Sequence, residues 1–303
     1  MVNAIIIVGP TAVGKSALAQ NIAKEIKGEI ISADATQVYR LLNIGTAKIL
    51  PSEQLVPHHL IDIRNPNEHY SCGEFVKDAK SLCKKITQKG KLPIIVGGTI
   101  FYIYALVQGI PEEKEIDERI KAFVDDISCE YGLSFVYKWL KICDREWAKK
   151  ISENDTYRIK HGFSFYLSHN VKYSSYLKSI KKDEDFSFNI IGLSMKKENL
   201  NKKIEERVKK MLKCGLINEV EHILYSGYSP SLPSLQCIGY KEAIMFLQGK
   251  LKEEELFFNI YKATKNLAKR QMSWLRNKFH NITWFDAETV DLVHKVIKVI
   301  SPS

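Results

Sequence analysis

The sequence predicts an α/β protein built on a doubly wound parallel sheet and interrupted by a helical insertion. Three observations predict it. Short unbroken apolar runs alternate with amphipathic stretches of helical length, the pattern of strands buried on both faces. The first run closes in a glycine-containing turn that leads straight into such a stretch. A middle section, residues 112–185, is charged and aromatic, with helical periodicity and no convincing buried strand.

Residues 4–8 form the first apolar run, rich in Ile and closed by Gly9-Pro10. Leu18, Ala19, Ile22, Ala23 and Ile26 then recur at helical spacing over 16–26. A second strand is expected at 29–33, ending at Asp34, and a third at 59–63. A helix over 74–89 stops at Gly90, and a strand at 93–96 ends in Gly97-Gly98-Thr99. After the insertion, 187–193 reads as a strand again. Helices follow at 199–214 and 216–225, split by Gly215. A long helix over 253–279 carries Leu256, Ile260, Ala263, Leu267 and Trp274 on one side, and 290–300 forms a small amphipathic helix. The expected division is a catalytic core, 1–111 with 186–303, and an insertion domain, 112–185.

The 303 residues are 45% apolar, enough for a sizeable core. Lys and Arg number 45 against 35 Asp and Glu, a net charge of +10. Such an excess attracts a polyanion, nucleic acid being the usual one. It also suits an ordinary protein of a lysine-rich proteome. Cys72, Cys83, Cys129, Cys143, Cys214 and Cys237 form no Cys-x-x-Cys pair and no zinc pattern, so they read as reduced thiols of a cytoplasmic chain. No apolar run has the ~20 residues of a membrane span, and no signal peptide precedes the first strand.

Gly9-Pro10-Thr11-Ala12-Val13-Gly14-Lys15-Ser16 fits the Walker A pattern at every fixed position, between a strand and a helix. The core is therefore P-loop NTPase-like. Backbone N–H groups of such a loop converge on phosphate oxygens, and the helix after it adds its positive end. Lys15 supplies a cation, and the Ser16 hydroxyl is placed to ligate Mg²⁺. Asp34 and Thr99 come just after the carboxyl ends of two other strands, where ligands of open α/β sheets sit. Asp34 could be a metal ligand or general base, or a turn residue that caps a helix start. Loops of this kind hold nucleotides, ATP among them, and a small-molecule kinase is the first class they suggest. The strand before Gly97 lacks the acid of a Walker B motif, and no Asn-Lys-x-Asp string reads guanine. The insertion offers only Arg119, Arg145 and Arg158 for an arginine lid.

Six strings break the tie. They are Asp34-Ala35-Thr36-Gln37 with Tyr39-Arg40; Asn43 to Lys48; His58 to Arg64 with Tyr70-Ser71; Gly97-Gly98-Thr99 with Tyr102; Gln236-Cys237-Ile238-Gly239-Tyr240-Lys241; and Ala268-Lys269-Arg270-Gln271 with Trp274 and Arg276. In order, they closely resemble the tRNA dimethylallyltransferase family, the isopentenyltransferases, over nearly the whole chain. The resemblance implies transfer of the five-carbon group of dimethylallyl diphosphate to the N6 amine of the adenosine 3′ of a tRNA anticodon. Mg²⁺ assists and diphosphate leaves. It implies that Asp34 is the general base, with Thr99 and Lys15 beside the reacting groups, and that Arg207 joins Gly9 to Ser16 on the diphosphate. Without it, Arg207 reads as a solvated cation. The anticodon stem-loop is then met by Asp34 to Gln37, Thr99, Gln236 to Lys241, the Lys269-Arg270-Gln271 stretch, and the insertion's Tyr157, Arg158, Ile159, Lys160 and His161. Tyr240 could equally be core, and Lys269-Arg270 a solvated face.

The chain departs from the family pattern in the insertion. His161 replaces a second Arg, Tyr157 a usual Gln, and Gly162-Phe163-Ser164-Phe165 an Ala-rich helix. Ala35 stands where Ser is common. No zinc finger comes after the last helix, so a bacterial or organellar member is expected, acting as a monomer.

Overall fold

The computed structural model describes residues 1–110, 115–179 and 183–300. The chain divides into two compact units, Met1–Val107 with Glu184–Ser303, and Gln108–Asp183. The expected boundary at 111 and 112 lies outside the described residues, as do 301–303.

The first unit opens with β1 (Val2–Val8), α1 (Lys15–Glu25), β2 (Gly28–Ser32), β3 (His58–His59), α2 (Cys72–Gln88), β4 (Leu92–Val96) and α3 (Ile100–Gln108). The second unit holds α4 (Glu118–Tyr131), α5 (Leu133–Cys143), α6 (Arg145–Lys150), α7 (Thr156–His169) and α8 (Tyr173–Lys178). The chain then returns through β5 (Phe186–Ser194), α9 (Lys197–Lys213), α10 (Leu216–Tyr225), α11 (Tyr240–Leu247), α12 (Glu253–Lys278), β6 (Ile282–Asp286) and α13 (Leu292–Ile300).

The strands form one parallel sheet in the order β3-β2-β4-β1-β5-β6. On one face Ile5, Ile7, Ile30, Ile94, Val96, Ile191 and Leu193 pack with Leu18 and Ile22 of α1 and Val296 of α13. Ile6, Ile31 and Ile95 are just as buried, and strand alternation turns them to the opposite face. That two-sided burial is why these segments lack a polar alternation. Ser32 and Ile7 both pair with Val96. Strands β2, β4 and β1 therefore end level with one another, and their connections leave from one rim.

Several expectations are corrected. The third strand covers only His58–His59, because Leu60 and Asp62 take left-handed backbone at φ 61° and 55°, which ends an extended run. Helix α3 was unanticipated: its apolar residues show no one-sided period, and Ile100, Tyr102, Ile103, Ala105, Leu106 and Val107 are all buried. Helix α11 and strand β6 were also unanticipated; Thr283 and Trp284 of this edge strand face solvent. On α12 the buried stripe is Leu256, Ile260, Thr264, Ala268, Gln271 and Leu275. Ala263, Leu267 and Trp274 lie half-buried beside it. Two of the buried positions are polar, which hides the stripe from a hydrophobicity count.

The second unit has its own core: Val124, Val136, Leu140, Ala148, Ile159 and Phe163. Asp144, fully buried, caps α6 by accepting from the Trp147 N–H at 3.0 Å. It also accepts from the Ser174 N–H and hydroxyl at 2.7 and 2.6 Å, tying α8 to the same carboxylate.

At the start of β2, Glu29 is buried and accepts from Lys91 Nζ at 2.7 Å and pairs with His59 Nε2 at 2.8 Å. Burial pushes its carboxyl up, but the hydrogen bonds from Lys91 and His59 outweigh that and hold it below its ordinary value of 4.5. A depressed folded value means stabilisation that is present above pH 4.5 and lost as pH falls through the folded value. Glu29→Gln is expected to cost about 2 kcal/mol at neutral pH, less than a fully buried pair because the lysine ends reach solvent. Urea unfolding of both proteins, with the gap closing on acidification, checks this.

Candidate active site

The loop from Gly9 to Ser16 joins β1 to α1. Gly14 is the N-cap of α1 at φ 102°, a left-handed conformation natural to glycine, and Ala12 also takes positive φ, at 64°. This alternation turns successive N–H groups inward, the nest arrangement that receives phosphate oxygens. Lys15 Nζ donates to the carbonyls of Gly9 at 3.0 Å and Pro10 at 2.7 Å, so the ammonium is folded across the loop's mouth. Burial is the main cause that pushes Lys15 down to about 7. The neighbouring Arg207 pushes the same way, and Asp34 opposes.

Arg207, on α9, donates through Nη2 to the Thr46 carbonyl at 3.3 Å. Its guanidinium is also pushed down by burial, with Asp34 opposing. Two cations are thus partly desolvated within electrostatic reach of each other and of a single carboxylate. An incoming anion would favour the charged form of Lys15, which burial and Arg207 disfavour.

Asp34 commits one of its two oxygens. Oδ1 accepts from the Thr36 N–H at 2.9 Å, the Thr36 hydroxyl at 2.6 Å and the Gln37 N–H at 3.4 Å. The turn-forming reading of Asp34 therefore holds. Oδ2 is left for other work and faces Gly98, where an added Cβ would lie 3.7 Å from it. Thr99 Oγ1 accepts from the Ala35 N–H at 2.9 Å, and the Thr99 N–H donates to the Ala33 carbonyl at 3.2 Å. The turns after β2 and β4 are thereby bonded to each other. Gly97 permits this approach, because a Cβ there would fall 2.0 Å from the Ala33 carbonyl oxygen.

The segment after Asp34 is held from below. Glu219 on α10 accepts from the N–H groups of Asn43, Ile44 and Gly45 at 2.9 to 3.4 Å. Lys48, almost fully buried, donates to the Tyr39 carbonyl at 2.7 Å, Asn43 Oδ1 at 3.0 Å and Asp62 Oδ1 at 2.5 Å. Gln37 Nε2 donates to Thr46 O at 3.3 Å, the carbonyl that also receives Arg207. Sequence reasoning did not single out Glu219. Its signal is faint, a half-buried acid on an otherwise regular amphipathic helix.

Among residues 236–241 the sequence expectation needs correction at Tyr240. Its ring is wholly buried against Gly45, and its hydroxyl donates to Glu219 Oε1 at 2.6 Å, so the side chain offers no surface to RNA. Gln236 and Lys241 are exposed; Cys237 and Ile238 are half-buried, and Gly239 is buried. The Cys237 thiol is pushed up to about 12, first by burial and then by Asp34. A groove of about 660 Å³ runs along the other side of the phosphate loop, bordered by Gly14, Ala17, Lys203 and His294, away from Asp34 and Thr99.

In the second unit the candidates all lie on the first turns of α7. Asp155 caps the helix by accepting from the Arg158 N–H at 3.1 Å and pairs with Arg158 Nη1 at 2.6 Å. Lys160 pairs with Asp125 at 2.8 Å. Tyr157 is 76% exposed and stacks on His161, ring centroids 5.7 Å apart and planes 15° apart. The imidazole is pushed down, first by burial and then by Lys121, so at neutral pH it is not the cation an arginine would be. Ile159 is corrected: it belongs to the helical core, with no exposed side chain.

The IPP transferase family model matches residues 37–278 of this chain. The chain belongs to the IPP transferase family. A tRNA dimethylallyltransferase of Carboxydothermus hydrogenoformans is 41% identical over 301 residues, covering 98% of this chain and 96% of that protein. One from Aquifex aeolicus is 38% identical over 298 residues, with 97% and 96% covered. Among solved structures, the tRNA isopentenylpyrophosphate transferase of Staphylococcus epidermidis aligns with TM-score 0.72 at 33% identity, covering 99% of both chains. A eukaryotic dimethylallyltransferase acting on tRNA aligns with TM-score 0.85 at 26% identity, over 99% of this chain and 79% of that one. Family membership makes the chain an enzyme of the prenyltransferase type, with a P-loop-like core.

The Gly97–Ala33 contact gives a direct check. Gly97→Ala is expected to push the Asp34 turn off its position and to lower turnover by roughly 10²-fold, the cost of a displacement near 1 Å at reacting groups. Steady-state kinetics on the folded variant measures it.

Proposed function

We propose that this chain transfers the dimethylallyl group of dimethylallyl diphosphate to the N6 amine of the adenosine 3′-adjacent to a tRNA anticodon, releasing diphosphate. The observation that carries the reading is the rim where Lys15, Arg207, Asp34 and Thr99 meet. Phosphate-binding cations and a carboxylate act there on one space, and the enzyme is assigned to act as a monomer.

The chemistry divides between the two sides of that space. The loop N–H groups, Lys15 and Arg207 hold the diphosphate. As the allylic C–O bond breaks, its electron pair goes to the leaving oxygen, and these fixed donors stabilise the growing negative charge. The adenine amine is a weak nucleophile, because its lone pair is delocalised into the ring. Its nitrogen forms the new C–N bond and loses one proton, which Asp34 Oδ2 accepts. Thr99 keeps the carboxylate's turn in place through Ala35. The base must leave the anticodon-loop stack to reach this site, and residues 34–37, with Gln236 and Lys241, are the groups assigned to it.

Mg²⁺ fits the site. Ser16 is exposed on the first turn of α1, a hard oxygen donor beside the phosphate loop. Among the described residues no group of three His, Cys, Asp or Glu forms a metal cage. Mg²⁺ commonly takes one or two protein ligands and fills the rest of its shell with substrate phosphates and water, and Ser16 would supply the protein ligand here. Bound there, it adds charge neutralisation on the leaving group.

The insertion, residues 112–185, is assigned to the tRNA. Tyr157 offers an exposed ring for stacking and Arg158 a cation beside it. Among the described residues no helix is long and apolar enough to cross a membrane; the tRNA substrate proposed here supports a cytoplasmic reaction.

Incubation with dimethylallyl diphosphate, Mg²⁺ and unmodified tRNA is expected to add one prenyl group to one adenosine, read by nucleoside mass spectrometry. Folded protein that yields no product overturns the reading. Asp34→Asn keeps an oxygen for the Thr36 and Gln37 contacts but cannot take the proton. Turnover is expected to fall by ~10²–10⁴, with donor binding retained. Tyr157→Ala with Arg158→Ala is expected to raise the KM for tRNA roughly tenfold, about one stacked base's worth, while the KM for the donor holds.

A further inference from the structure

Gln271 lies toward the C-terminal end of the buried stripe of α12, 6% exposed, where an apolar residue is the ordinary choice. Both ends of its carboxamide are engaged. Oε1 accepts from the Thr11 N–H at 2.8 Å, and Nε2 donates to the Gly98 carbonyl at 2.8 Å. We propose that Gln271 is a positioning residue that fixes the spacing between the diphosphate cradle and the carboxylate of Asp34. The inference rests on the assignment of Asp34 as the base.

Two peptide units carry the effect. The Thr11 N–H belongs to the same peptide group as the Pro10 carbonyl, and that carbonyl receives Lys15 Nζ at 2.7 Å. Gln271 thus sets the plane of the peptide that orients the lysine. On the other side, the Gly98 carbonyl belongs to the same peptide group as the Thr99 N–H, which donates to Ala33 O at 3.2 Å. Ala33 directly precedes Asp34, and Thr99 Oγ1 receives the Ala35 N–H at 2.9 Å. One amide therefore links two peptide planes, one leading to the phosphate-binding cation and the other to the turn bearing the base. Packing agrees: a Cβ at Gly98 would sit 3.1 Å from Gln271 Nε2 and 3.7 Å from Asp34 Oδ2. The Thr11 N–H, directed at Gln271, is also withdrawn from the set that can meet phosphate.

An amide has one acceptor and one donor, so only one of its two orientations satisfies both loops. This makes the test specific. Gln271→Glu keeps the acceptor for Thr11 but sets a second acceptor against the Gly98 carbonyl, until protonation restores a donor. Gln271→Leu removes both bonds at similar volume. Each is assayed for kcat, donor KM, tRNA KM and melting temperature between about pH 6 and 8, beside Asp34→Asn. For Gln271→Glu, kcat is expected to fall roughly 10- to 100-fold at the alkaline end. It should recover several-fold, relative to wild type, at the acid end, with both KM values within about threefold. Gln271→Leu is expected to show the loss without the recovery.

A kcat near wild type in Gln271→Glu at every pH overturns the proposal. A loss confined to tRNA KM also overturns it, since that marks an RNA contact. So does a loss identical in both variants at every pH that tracks lowered melting temperature, since that marks a purely structural amide. Turnover retained by Asp34→Asn removes the base assignment itself, whatever Gln271 does. An inactive Asp34→Asn beside an unaffected Gln271→Glu removes only the positioning role.

Discussion

Two cations are held in partial burial around one carboxylate, and the rest of the site is organised by that imbalance. Burial pushes both Lys15 and Arg207 down, Arg207 adds to the effect on Lys15, and Asp34 opposes it at each. Left in water, such charges would scatter. Here they are kept close by backbone carbonyls, those of Gly9 and Pro10 for the lysine and that of Thr46 for the arginine. The site is pre-organised for an anion before any arrives, and a preformed electrostatic environment needs no rearrangement as leaving-group charge develops.

The carboxylate is fixed by a different means. Its turn is closed by its own Oδ1, bonded through Thr99 to the neighbouring strand end, and continued by a segment whose amides rest on Glu219. Glu219 also takes the Tyr240 hydroxyl, so a core ring and a functional loop share one anion. Buried polar groups of this kind are costly unless every one is satisfied. Here much of their capacity is directed at the backbone of the loop after Asp34, whose Val38 and Leu42 side chains are themselves buried.

Chemical groups on α7 answer to the family pattern differently. The family's second arginine is His161 here, and its ring is engaged with Tyr157 and Tyr173. Where the pattern offers a second fixed cation, this chain offers an aromatic stack with Arg158 beside it. An exposed ring offers stacking, and stacking is less sensitive to salt than phosphate neutralisation.

The sequence by itself determined the strands β1, β2, β4 and β5, because burial on both faces leaves an unbroken apolar record. It also determined the phosphate loop, whose geometry requires Gly14, Lys15 and Ser16 at fixed spacing along one short segment. It could not show α3, whose apolar residues cover every side, nor β6, which lies at an edge and half faces water. It could not decide between the cap and the base for Asp34. Oδ1 closes the turn with Thr36 and Gln37, and only the fold says which way the other oxygen points. Tyr240, Ile159, Glu219 and Gln271 were settled the same way. Their partners lie 21 to 260 residues away along the chain in the bonds that define Tyr240, Glu219 and Gln271. Contacts that distant leave no periodicity in a sequence, because they are created only when the parallel sheet brings separate strand ends to one rim.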